Sequence, residues 1–223
     1  MSKAKKALIF QGGWGGHTPK EVADQIKDML EKESFEVDLY DHLDCLADGE
    51  ALKKYDLIVP LWTMGEIKGE YVNNVCAAVE AGTGLAGCHG GMCDAFRNNT
   101  EWQFMTGSQF ISHPGGDGTE YTVNFVGDSI FSEGLSDFKI ASEQYYIHYD
   151  PSVKIYATTK VVIMDGPHGS GVDEIIMPVI YTKMWGKGKV FYTCLGHNYH
   201  VFDDCMEARE TMRRGLVWAA KEE

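Results

Sequence analysis

The chain has 223 residues, enough for one substantial core and short for two, so a single domain over residues 1–223 is expected. At 44% hydrophobic and 24% charged residues the composition is that of a folded globule and excludes a largely disordered chain. A formal charge of −13 repels phosphates and anionic headgroups, so neither a nucleic acid nor a membrane surface is an expected partner.

After a basic start, Ala7–Phe10 is the whole apolar run before Gln11-Gly12-Gly13, too short for the core of a signal peptide. Other apolar stretches fall well short of the roughly 20 residues that cross a bilayer. A cytoplasmic protein is therefore expected. The six cysteines, at 45, 76, 88, 93, 194 and 205, contain no Cys-x-x-Cys pair and read as reduced thiols.

Lys6–Phe10 is apolar without alternation, as in a first, central strand buried on both faces of a parallel sheet. Thr18-Pro19-Lys20-Glu21 offers an N-cap, a proline at the first helical position and a capping-box glutamate, and Val22, Ile26, Met29 and Leu30 share one helical face. Phe35–Tyr40 alternates and predicts a strand near an edge, while Tyr55–Leu61 is nearly continuous and predicts an interior strand, with a short helix between them. Helical spacing recurs from Glu66 to Ala81 and stops at Gly82 and Gly84, before a fourth strand, Leu85–Cys88. Residues 110 to 165 are rich in Thr, Tyr and Phe and predict an antiparallel insertion. Val190–Leu195 is a last strand, and a closing amphipathic helix carries Cys205, Ala208, Met212, Leu216 and Ala219. Strands alternating with helices through glycine-rich turns define a doubly wound α/β sheet, whose ligands bind at the carboxyl ends of its strands.

Three segments at such ends carry chemistry. Gln11–His17 is a glycine-rich turn before a helix, but its spacing misses Gly-x-Gly-x-x-Gly, so no nucleotide cofactor is expected. It suits a loop in which Trp14 and His17 face a ligand. Gly87-Cys88-His89-Gly90-Gly91 has the glycine spacing of a nucleophile elbow with His89 at the apex, predicting an exposed, functional imidazole and a helix starting near Met92. Thr193–His200 places His197 after another strand, so the fold can bring His89 and His197 together for acid–base work or for a metal. Glu143 and His113 are further polar candidates on loops, whereas His42, His148 and His168 read as surface residues. Local spacing points to no metal site. A divalent ion such as zinc would have to be assembled across loops from His17, His89, His197 or His113.

At these residues the sequence resembles the ThuA-like (trehalose utilisation) family, related in fold to class I glutamine amidotransferases. The likeness is carried by Gly84–Gly90, by Ser142-Glu143-Gln144-Tyr145 and by Pro178–His197, with Arg214–Ala219 like the family's last helix. It implies a flavodoxin-like, mostly parallel sheet with a β-rich insertion, and a site at the elbow. It does not imply glutamine hydrolysis, because His89 stands where those enzymes carry cysteine. Ser142 departs from the family's aspartate. The resemblance also implies a sugar substrate, either a trehalose-type disaccharide or its keto derivative. On this reading His89 and His197 are acid–base groups or, with His17, metal ligands, Glu143 is a catalytic residue that orients one of the histidines, and Trp14, His17, Tyr145 and His113 contact substrate. The alternatives are a cysteine-dependent hydrolase using Cys88 and a non-catalytic sugar-binding or regulatory protein. A homo-oligomer is compatible with the aromatic middle of the chain.

Overall fold

A computed structural model describes residues 4–164, 169 and 171–222. The first half alternates strand and helix: β1 (Lys6–Gly13), α1 (Pro19–Lys32), β2 (Glu36–Tyr40), α2 (Gly49–Leu52), β3 (Leu57–Thr63), α3 (Gly69–Glu80), β4 (Gly84–Cys88) and α4 (His89–Cys93). There follow α5 (Thr100–Thr106), β5 (Ser108–Ser112), β6 (Thr119–Phe125), β7 (Phe138–Ser142), β8 (Tyr146–Tyr149), β9 (Lys154–Lys160), β10 (Ile176–Trp185), β11 (Gly188–Thr193), α6 (Tyr199–Asp204) and α7 (Met206–Ala219).

Nine strands form one sheet in the order β2-β1-β3-β4-β11-β10-β9-β6-β7. From β2 to β11 neighbours run parallel, and from β11 to β7 antiparallel, so the predicted insertion extends the sheet instead of forming a separate layer. β5 and β8 pair as a separate antiparallel ribbon. The alternating β2 is the edge strand, as its pattern predicted. β1 is interior, with Ala7–Phe10 fully buried, but it lies one strand from that edge, and the middle of the sheet is β11. Burial on both faces follows from having helices above and below, which an interior position satisfies without being central.

Two local readings change. Thr18 does not cap α1 with its side chain: its backbone is left-handed, with φ +44°, and its hydroxyl accepts from the Tyr199 amide at 3.2 Å. The residue ties the β1 turn to the segment following His197 instead. The helix after the elbow begins at His89 itself. α5 has no counterpart in the sequence reading; Asn99 caps it by accepting from the Trp102 amide at 2.9 Å, and Trp102 is wholly buried.

Candidate functional site

The carboxyl ends of β1, β4 and β11 converge, and the loop after β7 reaches over them. The elbow works because its glycines permit close approach. A Cβ on Gly87 would lie 2.8 Å from the Met92 side chain, and one on Gly91 2.8 Å from the Leu61 backbone. His89 at the apex has φ +47°, a strained value for a residue with a side chain. Its imidazole is only 1% exposed. The expected exposed apex is thus corrected, because the loops carrying His17, Glu143 and His197 close over it.

These residues form one buried cluster. Oε2 of Glu143 lies 3.0 Å from Nε2 of His89, 3.2 Å from Nδ1 of His197 and 3.8 Å from Nε2 of His17. The four donor atoms all lie within 4.8 Å of one another, and the residues are 7% exposed or less. Three of the four are held from behind. Nδ1 of His17 sits 2.8 Å from the Thr63 hydroxyl at the end of β3. Nδ1 of His89 donates to the Cys194 carbonyl at 2.7 Å. The Glu143 carbonyl accepts from the Tyr121 hydroxyl at 3.2 Å, and the Gln144 amide donates to Thr159 Oγ1 and to the Lys160 carbonyl, each at 2.8 Å.

A carbonyl only accepts, so Nδ1 of His89 must carry a proton, and in the neutral ring Nε2 then presents a lone pair to the Glu143 carboxylate. Nδ1 of His197, also buried, has no hydrogen-bond partner despite its proximity to Glu143. At His89 a nitrogen lone pair and a carboxylate oxygen thus face each other, an arrangement that a positive charge stabilises. Burial drives the His89 pKa down to about 4, against the smaller upward pull of Glu143. Burial pushes the Glu143 carboxyl up, but the three imidazoles packed around it outweigh that and hold it far below its ordinary range. His197 is lowered by burial and raised more by Glu143 and Asp117.

Around the cluster, Trp14 is 46% exposed and meets the His17 ring edge-on at 4.7 Å. The half-exposed His113 sets Nε2 3.6 Å from Oε1 of Glu143, so it faces the other carboxylate oxygen and lies outside the four-residue centre. Tyr145 is buried with its ring 3.9 Å from that of His89, which makes it the wall behind the imidazole. Cys88 is 1% exposed and burial pushes its thiol up to about 12, so it lacks the accessible thiolate that a cysteine hydrolase needs. All six cysteines are free. His42 and His148 are exposed as expected, and His168 lies outside the described residues. Sequence reasoning did not single out Thr63, Asp117 or the Cys194 carbonyl. Thr63 had a signal, a hydroxyl closing an otherwise apolar strand at the ligand end of the sheet.

An α/β sheet parallel from β2 to β11, with an imidazole on the β4 elbow and a histidine–glutamate cluster beside it, defines the class as a flavodoxin-like protein. The chain belongs to the ThuA family, described as trehalose utilisation, whose family model matches residues 6–219. It is similar to a ThuA-like protein from Bacteroides uniformis ATCC 8492 at 16% identity, covering 98% of this chain and 93% of that one with a TM-score of 0.73. Another, from Parabacteroides merdae ATCC 43184, is 18% identical over 99% and 93% of the two chains, with a TM-score of 0.72. A β-galactosidase from Rahnella sp. R3 contains a like fold, at 19% identity and a TM-score of 0.61, covering 97% of this chain and 30% of that one. No curated protein matches the sequence. Among the described residues no helix is long and apolar enough to cross a membrane.

Proposed function

We propose that this protein acts on a trehalose-type disaccharide or its keto derivative at a divalent metal ion held by His17, His89, His197 and Glu143. The observation that supports this is the inward-facing set of three imidazole nitrogens and one carboxylate oxygen within 4.8 Å. A tetrahedral ion with bonds of about 2.0–2.1 Å spaces its ligands about 3.3 Å apart, so the widest pairs of the set would draw in by up to about 1.5 Å around it. A proton could reconcile the His89–Glu143 pair alone, whereas a cation would also draw on the nitrogens of His17 and His197. Nitrogen and carboxylate donors suit zinc among other divalent ions.

When bound, such an ion supplies Lewis acidity toward a sugar carbonyl or hydroxyl. The protein's own groups do the rest. The Thr63 hydroxyl and the Cys194 carbonyl fix the orientation of His17 and His89. Tyr145 backs the His89 ring. Trp14 offers an apolar face to a sugar ring at the rim, and His113 faces the mouth, where it can bond a sugar hydroxyl.

The test is deuterium exchange next to the carbonyl, and product formation, on a panel of keto-sugars. The account expects turnover by the metal-loaded protein, lowered on the order of 10²-fold or more by a chelator or by His89→Ala. Turnover indifferent to both would contradict it.

A further inference from the structure

Beside the cluster runs a second cleft of about 420 Å³, within the range of small-molecule sites. We propose that this cleft is the subsite for the second ring of a disaccharide whose first ring sits at the histidine–glutamate centre. The proposal rests on the carbohydrate reading above.

Continuity with the centre is the first argument. Ser142 lines the cleft and immediately precedes Glu143, while Asn198 lines it and immediately follows His197. Asp117, also in its wall, brings Oδ2 within 3.7 Å of Nε2 of His197. A ligand that touches the outer nitrogen of His197 therefore lies at the mouth of this cleft.

The lining chemistry is the second. One wall is β7, the last strand of the sheet, which has no strand on its outer side among the described residues. Lys139 and Ala141 alternate on one exposed face of it, and Asp204 of α6 stands among the opposing residues. An ammonium, two carboxylates, an amide and a hydroxyl give donors and acceptors in a mixed array. A neutral sugar ring presents both kinds of group from every hydroxyl and matches such an array. An anionic ligand would meet Asp117 and Asp204, and a purely apolar one would leave the polar groups without partners. Ala141 is the small residue that keeps the space open.

The test is isothermal titration of zinc-supplemented protein with trehalose, maltose and lactose, compared with glucose and galactose. At least one disaccharide is expected to bind tenfold or more tightly than its monosaccharide. Ala141→Trp, on an exposed strand position, should abolish that advantage while leaving monosaccharide binding, zinc content and the melting temperature unchanged. Asp204→Ala should reduce the advantage in the same direction. Equal binding of disaccharides and monosaccharides, or an advantage that survives Ala141→Trp, would overturn the subsite and leave the carbohydrate reading intact. Failure of every sugar to bind would overturn both.

Discussion

Nε2 of His89 faces Oε2 of Glu143 at 3.0 Å while Nδ1 of the same ring is already committed as a donor to the Cys194 carbonyl at 2.7 Å. Two acceptors then oppose each other in a buried place, which costs free energy unless a positive charge lies between them. Glu143→Gln separates the possibilities, because its amide can donate to Nε2 without any cation. The variant should lose metal, and in chelator its melting temperature should equal or exceed that of chelated wild type. Adding zinc should raise the wild-type melting temperature and leave the variant's unmoved, since only a bound ligand stabilises by mass action. A variant that melts lower in chelator and still responds to zinc would contradict this relationship.

Thr63 holds His17 from behind, its hydroxyl 2.8 Å from Nδ1 of the ring. Thr63→Val keeps the side-chain shape and removes the hydroxyl. Metal affinity should fall about 10–100-fold, the usual effect of losing such a supporting bond. Competition with a zinc-binding dye measures it, and unchanged affinity would remove Thr63 from the account.

How much of this was legible depends on how local each signal is. His89 and His197 follow from glycines and apolar runs that place them at strand ends, and His17 from a turn before a helix. Their convergence requires the strand order, in which β1 and β4 flank β3 and β11 lies beyond β4. Glu143 stood out as a polar residue on a loop and by resemblance, but nothing in Ser142–Tyr145 marks a carboxylate that will meet three imidazoles. The Cys194 carbonyl was invisible because a backbone group has no residue identity. The exposure of His89 was misjudged for a related reason: an elbow lifts its apex toward solvent, but the loops that cover it come from distant parts of the chain. The same distance hid Thr18, whose hydroxyl serves Tyr199 rather than its own helix.

Gly90 lies where a Cβ would meet Cε1 of His17 at 2.6 Å and the Tyr145 hydroxyl at 3.0 Å. Gly90→Ala should fold, at a cost of about 1–3 kcal/mol typical of overpacking, and should displace His17. Zinc binding should weaken in proportion more than stability does. Denaturant titration beside zinc titration checks this, and an alanine variant with native zinc affinity would contradict it.

Lys183 on β10 is buried, and its Nζ bonds Oδ2 of Asp150 at 2.6 Å. That bond outweighs the burial of the carboxyl and lowers the Asp150 pKa to about 2. A depressed carboxyl pKa contributes stability that is complete above the unfolded value near 3.8 and is lost as pH falls through about 2. Asp150→Ala leaves the buried ammonium without its carboxylate, with only the Phe104 carbonyl and the Phe104 and Trp185 rings beside it, and should destabilise by about 3 kcal/mol at neutral pH. The difference from wild type should shrink as pH falls from 4 toward 2, as read by urea unfolding. A difference that grows there would be the wrong sign.

Cys88, Cys93 and Cys194 are all buried, and burial raises each thiol pKa. At pH 7 they should resist alkylation until the protein unfolds, and Cys88→Ala should keep zinc binding. Rapid labelling of Cys88 in the native state, with activity lost in step, would restore the cysteine mechanism.

The central claim is that His17, His89, His197 and Glu143 hold one metal ion. Its most direct test is metal content by mass spectrometry on untagged protein purified without chelator, comparing the natural sequence with His89→Ala and His197→Ala. The account predicts close to one equivalent of zinc or another divalent ion in the natural protein and its loss in both variants. Protein that is metal-free and takes up none from added zinc, or variants that retain a full equivalent, would contradict it.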